Sequence, residues 1–282
     1  MTVVHTLHIE DGDAAATSEP GTVFFIGNAT VLIRQAGFTI LTDPSFIHRH
    51  EQTWLGYGLH TTRLTDPAME IADLPPIDLV VLSHFHGDHF DRAAEEGLDH
   101  GTPIVTTAQA VKELQERGFE KTYGLDTWES FSLTKGAHQL LVTALPARHG
   151  PPIVDVALPD VMGSMLTFGP APSGADVRMY ISGDTLLIDE LREIAERYRD
   201  VDLGLFHLGG TKVLGIMVSM DAEQGVQAVR LIAPQVAIPI HVDDYDVFTS
   251  PLSDFQMAVE EAGLSNKVRY LTRGESYTLA PR

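Results

Sequence analysis

Two periods alternate along this chain. FTILTD (38–43) and IDLVVLS (77–83) are short, continuous, β-branched runs of the kind that become strands buried on both faces. TTAQAVKELQERG (106–118) has helical spacing, with Thr107 placed as its N-cap and Gly118 as its stop. Strands are expected near 126–133, 139–145, 161–168 and 177–182. LLIDELREIAERYRD (186–200) predicts a second amphipathic helix, with a solvated acidic face and pairs such as Glu193 with Arg197. VDLGLFHL (201–208) reads as a strand. SMDAEQGVQAVRLIAP (219–234) reads as a helix opened by Ser219 or Asp221 and closed by Pro234. QVAIPI (235–240) adds a strand and SPLSDFQMAVEEAG (250–263) the last helix. The alternation predicts an α/β architecture in two halves meeting near residue 175. No sharp linker separates them, so one domain is expected over 21–282, preceded by a flexible polar leader over 1–20.

The strand at 77–83 runs straight into HFHGDHFD. His84, His86, Asp88 and His89 fall within six residues. Neutral imidazoles are good ligands for zinc and its neighbours, and a carboxylate compensates the metal's charge. Gly87 is expected to let the turn fold tightly, and Asp91 to cap the short helix that follows. The chain has 13 histidines, so an isolated one carries little meaning, but four donors at the exit of one buried strand form a pattern. Sites in α/β folds collect at the carboxyl ends of strands, and the remaining donors are expected there. His149 in LPARHGPP, Asp184 in MYISGDT and His241 in QVAIPIH fit that position. Each also has a plain alternative: a loop histidine, a helix N-cap and a strand-end histidine with its bonds made internally.

Composition narrows the chemistry. The chain has no Cys, so disulfides and thiol catalysis are excluded and any metal must be held by His, Asp or Glu. Acidic residues outnumber basic ones 39 to 19, for a net charge of −20. Polyanions bind through basic patches, so no nucleic-acid partner is expected. The first twenty residues show neither a basic n-region nor an apolar h-region, and no apolar run is long enough to span a bilayer. The expectation is a cytoplasmic protein with no transmembrane segment that acts on a small-molecule substrate; a homo-oligomer is compatible with it. No G-x-S-x-G elbow or P-loop suggests another mechanism.

SHFHGDH followed in order by His149, Asp184 and His241 resembles the metallo-β-lactamase superfamily. IGNATVLIRQAGFTILTDPSF (26–46), SGDT (182–185) and SMDAEQ…AIPIH (219–241) resemble the branch containing the ascorbate-6-phosphate lactonases and the N-acylphosphatidylethanolamine phospholipase D enzymes. The resemblance spans residues 21 to about 250. It implies a four-layer αββα sandwich with two divalent metal ions at one edge, zinc first, with manganese and iron as alternatives. It also implies that His84, His86 and His149 hold one metal, that Asp88, His89 and His241 hold the other, and that Asp184 bridges both. Asp43, in LTDP, would orient the ligand loop from behind. Asn28 stands where this branch usually carries His. The implied activity is hydrolysis of a lactone, ester, amide or phosphodiester. Two ions about 3.5–4 Å apart would share the attacking hydroxide, with Asp88 as the catalytic residue that orients it and moves a proton. The alternatives are a di-iron redox protein and a non-catalytic metal-binding protein of the same fold.

Three further residues are candidates for substrate binding. His207, at the end of a strand, could touch substrate or be a satisfied core-edge histidine. Lys212, in GGTKVLG, could pair with an anion or stay solvated. Tyr245, with Phe248, follows His241 closely. The segment HRHEQTWLGYGLHTTR (48–63) could form a substrate wall or an ordinary packed loop.

Overall fold

The structure, a computed structural model, describes residues 2–10, 20–56, 58–152, 158–170 and 177–280. Two seven-stranded sheets lie face to face. The first runs, in spatial order, β1 (Thr2–Ile9), β10 (Glu129–Lys135), β11 (His138–Leu145), β12 (Gly163–Pro170), β13 (Val177–Ile181), β14 (Leu203–His207) and β17 (Val236–Ile240). The second runs β18 (Ser276–Thr278), β2 (Thr22–Gly27), β3 (Thr30–Gln35), β4 (Phe38–Thr42), β7 (Leu79–Val81), β8 (Ile104–Thr106) and β9 (Thr122–Gly124). Each sheet is mixed. β10 to β13 pair antiparallel while β13, β14 and β17 are parallel; β18 to β4 are antiparallel while β4, β7, β8 and β9 are parallel.

The continuous apolar runs follow from burial on both faces. Along β7, Leu79 and Val81 point into the core between the sheets and Val80 points outward. Along β13, Met179 and Ile181 point inward and Tyr180 outward. The outward residues of the second sheet pack with Ala94 of α1 (Arg92–Gly97) and Leu114 of α2 (Ala108–Glu116). Those of the first sheet pack with α3 (Leu191–Arg197), α4 (Ala222–Ile232) and α5 (Leu252–Glu261) through Ile194, Val229 and Phe255. The result is a four-layer αββα sandwich. The expected caps are formed: Thr107, Asp91 and Asp221 each accept a hydrogen bond from the third amide onward. Among the described residues no helix is long and apolar enough to cross a membrane.

Two expectations are corrected. Thr2–Ile9, assigned to a flexible leader, forms β1 and pairs parallel with β10; Leu7 and Ile9 pack against the inter-sheet core. Residues 11–19 of that leader lie outside the described residues. The helix expected over 186–200 covers only Leu191–Arg197. The Leu186 amide bonds to the Arg148 carbonyl and the Leu187 amide to the Gln224 side chain, so this stretch is held as a tether between elements.

Two small hairpins stand outside the sheets. β5 (Gln52–Trp54) pairs with β6 (His60–Thr62), and β15 (Lys212–Val213) with β16 (Ile216–Met217).

Candidate metal centre and substrate cleft

The donors gather where strands of the two sheets end. Ser83 to His89 follow β7, Asp43 follows β4, Asp184 follows β13 and His241 follows β17, while His149 lies beyond β11. Three groups form. His84, His86 and His149 bring one donor atom each within 4.8 Å of one another, and so do Asp88, His89 and His241. Asp184 is grouped with His84 and His89, one histidine from each of the other two sets. All seven side chains are buried.

Several contacts behind the donors aim them. The His149 Nδ1–H donates to the Val218 carbonyl at 2.7 Å and that of His241 to the Leu208 carbonyl at 3.1 Å, which turns each Nε2 lone pair inward. Ser83 Oγ lies 3.0 Å from His84 Nδ1 and 3.3 Å from His89 Nδ1. Asp43 accepts the Ser83 amide at 2.7 Å and lies 3.2 Å from His207 Nε2. Asp43 therefore holds the start of the ligand loop from beneath.

Backbone strain concentrates here. Asp43, His241 and Asn28 occupy the left-handed region, with φ of 34°, 57° and 52°. Gly183, beside Asp184, has φ of 62°, and a Cβ there would meet the Met162 carbonyl oxygen at 2.6 Å. Gly87, expected to let the turn fold tightly, does not have a positive φ. A Cβ at Gly87 would meet Thr53 Oγ1 at 2.1 Å and the Trp54 carbonyl oxygen at 2.5 Å. Close packing of β5 against the ligand loop is what requires glycine.

Asn28 ties two ligand segments together. Its Nδ2 donates to the Asp88 carbonyl at 2.7 Å, and its own carbonyl accepts the His241 amide at 2.8 Å. Its amide donates to Asp244 Oδ2 at 2.8 Å. Asn tolerates the left-handed conformation better than most residues, which makes it a consistent occupant of this position.

The electrostatics divide the site. Burial, reinforced by neighbouring histidines, drives His84 well below the ordinary imidazole range and His86 to about 3; burial also lowers His149. These three are neutral at neutral pH. Burial also disfavours protonated His89 and His241. At His89 the charges of Asp88, Asp184 and Asp43 outweigh it, and at His241 Asp184 and Asp88 do, so both are raised. Burial opposes ionisation of Asp88, but the charge of His89 and the hydrogen bond with His241 hold it at about 2. Asp184 is likewise held well below the carboxylate range, against burial, by the charges of His241 and His89.

This donor set fits metal. Asp88 Oδ1 and Asp184 Oδ1 are buried without a hydrogen-bond partner, a costly arrangement unless a cation completes it. His84 Nε2 and His86 Nδ1 face each other at 3.0 Å, as do His89 Nε2 and His241 Nε2 at 3.2 Å. Such paired nitrogens fit atoms that converge on one ion.

A cleft of about 400 Å³ opens above these donors, with His86, Asp88, His149 and Asp184 on its floor. Two of the candidate substrate residues lie elsewhere. His207 is fully buried, 3.2 Å from both Asp43 and Ser182 Oγ, and does not line the cleft. Tyr245 is buried with its hydroxyl 2.9 Å from Ser45 Oγ and 3.2 Å from Arg63 Nη1. Lys212 sits on the hairpin that walls the cleft but is itself exposed and absent from the lining, whereas Thr211 and Val213 on either side line it. The period-two alternation of a strand explains the difference. Phe248 packs its ring 4.5 Å from that of His241. The segment 48–63 does form a wall, through Leu55 and Leu59. Sequence reasoning missed Val213, Leu214, Ile216 and Val218. The turn signal was weak: Leu-Gly is not one of the pairs that announce a two-residue hairpin, such as Asn-Gly or Asp-Gly.

Known proteins share this fold. The UPF0173 metal-dependent hydrolase of Methanopyrus kandleri is 28% identical over 238 residues, covering 80% of this chain and 98% of that protein. The isothiocyanate hydrolase from Delia radicum gut bacteria superposes with a TM-score of 0.76 at 18% identity, covering 92% of this chain and 99% of the other. CmlA, a diiron beta-hydroxylase from Streptomyces venezuelae, superposes with a TM-score of 0.66 at 19% identity, covering 93% of this chain and 55% of the other. At these identities the two structures show likeness of fold alone. The family described as the beta-lactamase superfamily domain matches residues 39–242, most of the chain. With the αββα sandwich and the clustered His and Asp donors at its strand ends, the match means that this chain belongs to the metallo-β-lactamase superfamily.

Proposed function

We propose that this chain is a hydrolase dependent on two divalent metal ions, acting on a lactone, ester, amide or phosphodiester bond of a small organic substrate. The observation that carries the reading is the convergence of seven donors, two with unpartnered buried carboxylate oxygens, under an open cleft. The relatives that cover most of their length with this chain and are named metal-dependent hydrolases support it.

His84, His86 and His149 would hold one ion, and Asp88, His89 and His241 the other. The grouping of Asp184 with one histidine from each set supports a bridging role. When bound, such ions polarise a carbonyl or phosphoryl oxygen and lower the pKa of water to about 7. The protein's own part is orientation and proton handling. Asp88 lines the cleft, is ionised at neutral pH, and keeps Oδ1 free while Oδ2 lies 3.3 Å from His241 Nε2. It is the group positioned to orient water and accept its proton. Asn28 fixes the Asp88 backbone, and Asp43 fixes the loop that carries it.

The test is turnover of neutral ester, lactone and phosphodiester probes by chelated protein and by the same protein reloaded with zinc or manganese. Activity should vanish on chelation and return on reloading, and His86→Ala should abolish it. Turnover that survives complete removal of metal would contradict the proposal.

A further inference from the structure

The cleft is built of two materials. Its floor is polar, but its walls are aliphatic. Leu55 and Leu59 face it from the β5–β6 side, and Val213, Leu214 and Ile216 from the β15–β16 side. No described residue lining it is Lys or Arg. Of the nearby cations, Arg63 Nη1 donates to Ser45 Oγ at 2.7 Å and Arg148 pairs with Glu190 at 2.5 Å, while Lys212 is exposed on the β15–β16 hairpin and lies outside the lining.

The tip of the second hairpin carries an independent sign. β15 and β16 are joined by the two-residue turn Leu214–Gly215, with φ of 51° and 81°. Such turns favour Asn-Gly, because a Cβ in the left-handed region crowds the following carbonyl. Leu214 is nevertheless 95% exposed at this position while bordering the cleft. Backbone preference and solvent both argue against a leucine here; an apolar body that covers it argues for one.

Resting on the reading of the site as a metal-dependent hydrolase, we infer that the substrate is an uncharged compound with an aliphatic or aromatic body held between the two hairpins, and that Leu214 is a specificity-determining contact for that body. A carboxylate or phosphate on the body would be pressed against hydrocarbon, with no cation among the lining residues to offset its lost hydration. An alkyl body gains about fourfold in affinity for each methylene buried.

The experiment uses metal-loaded protein with p-nitrophenyl acetate, butyrate and hexanoate, and with the hexanoate analogue ending in a carboxylate. kcat/KM should rise by up to about fourfold per added methylene, and fall at least about tenfold when the terminal carboxylate is added. Leu214→Asn preserves the turn and removes the apolar contact. It should raise KM for the hexanoate about tenfold and affect the acetate far less. Saturation-transfer NMR with hexanamide and its carboxylate-terminated counterpart, on loaded and on chelated protein, reads binding without turnover. Hexanamide binding in preference to its charged counterpart, with no ester, lactone, amide or phosphodiester probe cleaved, would sustain the substrate class and overturn the hydrolase reading. Equal or better use of the carboxylate-terminated ester, or equal loss on both esters in Leu214→Asn, would overturn the substrate class and leave the hydrolase reading intact.

Discussion

Ser83, at the exit of β7, gives its amide to Asp43 and shares its hydroxyl between His84 and His89. Leu214, across the cleft, stands almost wholly in solvent at the tip of a two-strand hairpin. The floor of the cleft is thus wired from behind by buried contacts, while the walls are short hairpins outside both sheets. Buried polar networks hold geometry because each member is costly to displace. An apolar wall can change residue by residue at little cost to the fold. On the proposed function, the chemistry falls to the floor and the choice of substrate to the walls. The two regions meet at Gly87, where the ligand loop touches β5.

The comparison can be broken most severely at the floor. Asp184→Asn keeps the shape but removes the charge that faces both donor sets. Turnover should fall more than about a hundredfold, beyond the range for partners behind the ligands, with circular dichroism unchanged. Near-wild-type turnover with both metals retained would remove the bridging role. Asn28→Ala cuts the link between the Asp88 and His241 segments. A loss of about tenfold to a hundredfold in metal affinity or activity is expected, read by chelator competition; unchanged affinity and rate would make Asn28 a bystander. Gly87→Ala sharpens the comparison, because it presses on both regions at once. The Cβ collides with Thr53 and Trp54, and about 1–3 kcal/mol of stability should be lost. If denaturant melting shows no loss, the contact between loop and hairpin is loose. The smallest effect belongs to the wall: Leu214→Asn should leave stability within about 0.5 kcal/mol of wild type, and a larger loss would mean that the tip is structural.

The sequence announced the floor far better than the walls. Buried strands read as apolar runs because both faces are covered, so β4, β7, β14 and β17 were legible, and so was the cluster of donors after β7. His149, Asp184 and His241 lie 60 to 152 residues beyond His89 and were singled out through strand ends and family resemblance. His207 had the same strand-end signature as the donors, yet it faces Asp43 and Ser182. One-dimensional pattern does not say on which side of a strand end an imidazole emerges. Lys212 shows the same limit at one residue's distance from Val213. β1 was overlooked because its alternation carries only Leu7 and Ile9 to the core, while Val3 and Val4 stay exposed.

The central claim is that seven donors hold two metals, and elemental analysis of protein purified without chelator tests it most directly. Wild type should carry two metals per chain. His149→Ala and His241→Ala, each removing a donor from a different set, should each lower the count towards one. Less than one metal per wild-type chain, after exposure to zinc and to manganese, would contradict the account.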